Sequence, residues 1–255
     1  MAQGLPRTHL NSAGLVRALA GLAVAEIPAS RQSLAERLGD WLDFKDALAL
    51  FSALNAQAAA DGGTSTSSTA IAGARHACKR VRAALAESIA SDGVSQPGKA
   101  RIALPVPTAQ DSTEEAADFE PWRRYYLAHQ RDMNANIGAL RATVRAALAR
   151  RSPALGKLAA LDAVMDQALA ERERALLATV PALLEQRFGQ RLDAHRAAVA
   201  DSQAADDPAA WMQPGGWLAG FCTELKTVLL AELELRLQPV TGLLEALDNE
   251  MGKQQ

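Results

Sequence analysis

From residue 119 to residue 250 the apolar side chains return every three or four positions, interrupted only at Ser152-Pro153 and around Asp207-Pro208 and Pro214-Gly215-Gly216. That period is the helical one, so the pattern predicts three long helices, over 119–150, from 153 to about 199, and from 217 to about 249. Ser152 can cap a helix N-terminus and Pro153 suits its first position, so a tight reversal is expected between the first two. Leu158, Leu169 and Val180 recur every eleven residues, as do Met165 and Leu176, which predicts a nearly straight apolar seam. Phe221, Leu225, Leu229, Leu233, Leu243 and Leu247 mark the inner face of the last helix. Pro181 and Pro239 each remove a backbone donor within an otherwise helical pattern, so both helices should bend there. The expectation for 119–250 is an antiparallel three-helix bundle, coiled-coil-like and kinked.

The patterns before residue 91 are shorter. A first helix is expected from Asn11 or Ser12, with Leu15, Leu19 and Leu22 on one side, and it must end before Pro28. Ser33 and Glu36 have capping-box spacing and open a second helix carrying Leu34, Leu38, Trp41 and Leu42. A third, over 44–57, presents Leu48, Phe51 and Leu54 or, one face over, Ala47 and Leu50. A fourth follows over 69–90. Such short helices need one another, so residues 1–90 are expected to form a small N-terminal helical cluster, with a mobile Gly/Ser/Thr loop at 61–68. Residues 91–118 read as a Pro/Gly-rich and then acidic linker.

Composition narrows the class. The chain has 255 residues, long enough for a real core, but only 4% are aromatic, so Leu, Val and Ala must fill it. Few β-branched and aromatic residues and much Ala, Leu, Arg and Glu make the fold all-α. The net charge of −2 gives no global attraction to nucleic acid or anionic membrane, so any such binding must be local. The apolar run at 18–25 is about half of what crosses a bilayer, so direct membrane insertion is not expected and a cytoplasmic protein is. Cys78 and Cys222 lie in no C-x-x-C spacing and read as buried free thiols. No phosphate-loop, dinucleotide, nucleophile-elbow or paired-histidine metal motif occurs, so the reading is non-enzymatic, with no catalytic residue, metal or cofactor.

Two clusters could bind something. Arg75, His76, Lys79, Arg80 and Arg82 stand on the fourth helix with no acid among them, a patch able to meet DNA phosphates or an acidic protein surface, or to dock on the five carboxylates of 111–120. Trp122, Tyr125, Tyr126 and His129 share a helical face beside Arg123, Arg124 and Arg131, which could stack bases or grip a partner helix; the plainer alternative is a core seam with solvated arginines. Glu171-Arg172-Glu173-Arg174 reads as a solvated strip. An Ala-rich seam also allows a homo-oligomer.

Arg7-Thr8-His9-Leu10-Asn11-Ser12, the stretch from Ser30 to Leu38 and the stretch from Pro121 to Met133 resemble an uncharacterised family of proteobacterial all-helical proteins, a domain of unknown function. The resemblance implies an accessory component encoded beside a proton-driven membrane motor of the MotA/MotB type, similar to type III Zorya anti-phage systems. The implied partner is then the motor complex or another product of the operon. It carries over no catalytic residue.

Overall fold

The computed structural model describes residues 14–22, 34–55, 68–91, 93, 100–107, 115–202 and 205–252. The expected helix start at Asn11 or Ser12, Ser33 of the capping box, positions 61–67 of the loop, and the 94–99 and 108–114 parts of the linker lie outside these residues. Among the described residues there is no strand. The helices are α1 (Gly14–Gly21), α2 (Leu34–Trp41), α3 (Phe44–Asn55), α4 (Ser68–Ala90), α5 (Glu120–Arg151), α6 (Pro153–Leu177), α7 (Val180–Ser202), α8 (Pro208–Trp211) and α9 (Trp217–Gly252). The all-α architecture of long, bent helices follows the hydrophobic period.

Local chemistry sets the boundaries. The Ser152 hydroxyl accepts from the Leu155 N–H at 3.3 Å, and Pro153 opens α6 in the first-turn position where its missing donor costs nothing. Two guanidiniums on α5 then clamp two carboxylates on α6. Arg141 reaches Asp162 and Asp166, each at 2.6 Å, and Arg145 reaches the same two at 2.6 and 2.8 Å. Burial alone would raise the Asp162 carboxyl, but hydrogen bonds and charge from Arg141 and Arg145 outweigh it and hold the group below its usual range.

The helix expected from 153 to about 199 is instead two, α6 and α7, divided by a turn at Ala178-Thr179. Pro181 cannot donate to the Leu177 carbonyl, and that carbonyl accepts from Gln130 Nε2 of α5 at 3.4 Å. The eleven-residue seam holds at Val180, which is buried, and fails at Leu176, which is exposed just before this turn. A short helix, α8, also interrupts the segment before α9. Asp207 caps it by accepting from the Ala209 N–H at 3.0 Å. The chain then reverses through Gly215, at φ +90°, and Gly216, where a Cβ would run into the Ala210 and Trp211 carbonyls.

The core lies between α4, α5, α7 and α9. Phe119, Trp122, Phe188 and Phe221 form an aromatic knot with ring centroids 5.1–6.3 Å apart. All six apolar positions read from the last helix are buried. Of the N-terminal helices, α1 and α4 join this core, α1 on α9 and α4 on both α5 and α9, whereas α3 lies outside it on α6. A short helix gains more by covering the large apolar faces of α5 and α9 than by pairing with another short one. Cys222 is buried, whereas Cys78 is only half-buried, and neither is in a disulfide.

Candidate functional site

The basic row of α4 is split by its packing. Arg75 pairs with Asp248, and Arg82 makes a two-pronged contact with Glu234 at 2.9 and 2.7 Å, both carboxylates belonging to α9. Two of the four Arg and Lys cations thus tie α4 antiparallel to α9, where the sequence allowed docking on residues 111–120. His76, Lys79 and Arg80 remain exposed.

The face of α5 with the densest chemistry points inward. Trp122, Tyr125, Tyr126 and His129 are all buried, so their rings do not offer a stacking platform for bases. Arg123, Arg124 and Arg131 are exposed, and the first two lie within 3.9 and 3.7 Å of Glu120. Of the two readings of this face, burial matches the plainer one. The rings are a core seam, and only the arginines face solvent.

That seam carries a buried charge which the sequence reading did not single out. Glu232 of α9 is 0% exposed and accepts from the Tyr126 hydroxyl, from Gln130 Nε2 at 3.0 and 3.1 Å, and from Arg236 Nε at 2.7 Å. Arg236 donates onward to Asn134 Oδ1 at 2.5 Å and to Glu173 at 3.4 Å. Burial and the neighbouring Glu232 carboxylate both push the Tyr126 phenol well above its ordinary range, so it stays protonated and donates. The sequence signal was present: a Glu and an Arg at i, i+4 inside an otherwise leucine-rich row.

His129 is a buried histidine whose Nε2 has no hydrogen-bond partner, with its ring edge-on to Tyr125 at 4.6 Å. Burial, assisted by the Arg101 cation that pairs with Asp132, lowers its pKa from 6.5 to about 4. The ring is therefore neutral in the folded protein. The unfolded chain takes up a proton from about pH 6.5 downward, while the folded chain does so only near pH 4. This residue's contribution should weaken folding by about 3 kcal/mol across that window and level off below it. Urea titrations at pH 7 and pH 4.5 check this, and His129→Gln should flatten the difference; an equal slope in the variant would assign the acid sensitivity elsewhere.

Near the start of α9, Asp206 Oδ1 lies 2.9 Å from His195 Nε2 and accepts from Trp211 Nε1 at 2.8 Å, with the His195 ring stacked on Trp217. This set pins α8 against α7 and α9. Among the described residues no group of three or more His, Cys, Asp or Glu side chains could hold a metal.

The most unusual surface is on α3. Phe44 is 85% exposed, Leu48 57%, Phe51 65% and Leu54 53%, all on one face. The opposite, alanine-rich face with Leu50 packs on α6, because small side chains let two helices approach closely. The larger apolar row is left outside.

The family model described as Protein of unknown function (DUF3348) matches residues 1–249. The chain belongs to the DUF3348 family. No curated protein and no solved structure matches it. The match covers both the buried Glu232 centre and the α3 strip, so this family member carries the two features within its matched length. No helix among its described residues is long and apolar enough to cross a membrane.

Proposed function

We propose that this chain is a non-enzymatic helical docking protein whose partner lays an apolar helix face against α3. The observation that carries the reading is the row Phe44, Leu48, Phe51 and Leu54. Together these side chains leave roughly 500 Å² of apolar surface uncovered, the size of the largest patch on an ordinary monomer and one often functional. A stable interface buries about 800 Å² on each side, so the row is the centre of a contact that must extend over its rim. Regular i, i+4, i+7 spacing suits a helix-in-groove or helix-on-helix partner.

The partner we assign is another product of the same operon, the cytoplasmic part of a proton-driven membrane motor, acting in anti-phage defence of the type III Zorya kind. This assignment rests on the resemblance carried by the stretches 7–12, 30–38 and 121–133.

Phe44→Ser with Phe51→Ser tests the docking reading. Both side chains are solvent-facing, so the helical spectrum and melting temperature should stay close to wild type. Co-purification of the operon's membrane proteins with the tagged full-length chain should fall at least tenfold. Undiminished recovery would overturn the reading. So would a wild-type dimer in sedimentation that the double variant turns into a monomer, since the row would then serve a second copy.

A further inference from the structure

A cavity of about 640 Å³ opens between α2, α5, α6 and α9, within the range of small-molecule sites. Its walls are apolar, from Leu38, Trp41, Ile137, Leu169, Leu235 and Pro239. Two helix-weakening residues on facing helices both line it. Gly138 sits inside α5 with ordinary backbone angles, and a Cβ built there meets nothing within 4 Å. No turn or close approach accounts for that glycine; its effect is open space. Pro239 interrupts the hydrogen-bond ladder of α9 in the opposite wall.

The polar groups divide by depth. Arg141 and Arg236 are partly buried and already neutralised, by Asp162 with Asp166 and by Glu232. Toward solvent the cavity continues into a second space of about 370 Å³ that shares Trp41, Arg172 and Leu176 with the first and adds Arg37 and Asp40. Arg172 has no carboxylate partner among the described residues; its guanidinium lies 5.4 Å from the centre of the Trp41 ring. Arg37 Nε is buried with no hydrogen-bond partner. Two uncommitted guanidiniums therefore stand at the mouth of an apolar chamber.

We infer that this cavity binds a small anionic amphiphile, an aliphatic chain ending in a carboxylate. The chain lies along Ile137, Leu169 and Leu235, and the carboxylate is held at the mouth by Arg172 and Arg37 beside Trp41. A guanidinium fork matches a carboxylate's two oxygens, whereas a cationic head would meet two guanidiniums against the single carboxylate of Asp40.

The test is calorimetric titration of the full-length chain with decanoate, decanol and decyltrimethylammonium at matched concentrations. Decanoate should bind more than tenfold tighter than the cation, with the alcohol between them. Gly138→Leu places a side chain in the open space at a helical position that favours leucine over glycine, so the fold should be kept and decanoate binding lost. Arg37→Glu with Arg172→Glu should weaken decanoate at least tenfold while leaving decanol unchanged. Equal affinity for the three compounds would overturn the proposal. So would binding that survives Gly138→Leu but disappears with Phe44→Ser and Phe51→Ser, which would mean adsorption on α3.

Discussion

Arg236→Met destabilises the protein by about 3–5 kcal/mol, because it leaves Glu232 buried without its cation. The carboxylate is wholly screened from water, and the hydrogen bonds from Tyr126 and Gln130 replace only part of what the guanidinium supplies. For a domain whose total stability is typically 5–15 kcal/mol, this is a large share. Urea denaturation should show a lower midpoint with an unchanged slope. The control is Glu232→Gln combined with Arg236→Met, since a glutamine side chain still accepts from Tyr126 and Gln130 but carries no charge. The pair should recover more than half of the loss. If the double variant is no more stable than Arg236→Met alone, the cost lies in the packing of the Arg236 side chain and not in an orphaned charge.

Phe221→Ala should cost a similar 3–5 kcal/mol for a different reason. Phe221 is fully buried and meets Phe188 at 5.1 Å, Trp122 at 5.5 Å and Phe119 at 6.2 Å, each edge-on. Truncation loses the transfer free energy of the ring and three aromatic contacts, and it opens a void among rigid rings on three helices. In a chain of this length each kcal/mol lowers the melting temperature by about 2–4 °C, so a drop of roughly 6–20 °C is expected. Phe221→Leu should recover at least half of it. A shift under 2 °C for the alanine variant would show that α5, α7 and α9 close over the gap.

How much of this was legible depended on how far the determining contacts lie along the chain. The reversal at Ser152-Pro153 needs only neighbouring residues, and the inner face of α9 needs only its own period, so both could be read directly. The division of α6 from α7 was half legible. Pro181 announces a bend, but the Gln130 side chain that donates to the freed Leu177 carbonyl comes from another helix. For α3 the sequence offered Leu48, Phe51 and Leu54 or Ala47 and Leu50, and neither face is the inner one as read: Leu50 is half-buried with Ala49 and Ala53, while Ala47 is exposed with the larger apolar row. The basic row of α4 could not be sorted into committed and outward cations without knowing that Glu234 and Asp248 face it. Glu232 stayed hidden because a carboxylate within a helix is usually solvated, and its partners Tyr126 and Gln130 precede it by more than a hundred residues.

The placement of α1 and α4 against α9 also dictates the order in which the molecule can be completed as it is made. The α5–α6 clamp joins residues 17 to 25 positions apart and can form soon after it leaves the ribosome. Arg82 must wait for Glu234, which lies 152 residues later. At about 5–20 residues per second, that is a delay of roughly 10–30 s. During it the inner face of α4, with Ile71, Ala74, Leu85 and Ile89, lacks its α9 cover, while the neighbouring arginines have yet to meet their carboxylates and keep the segment hydrated. Synthesis of α9 is thus the event that closes the fold, and the same residues that later bind α4 to α9 first serve to keep the unfinished chain in solution.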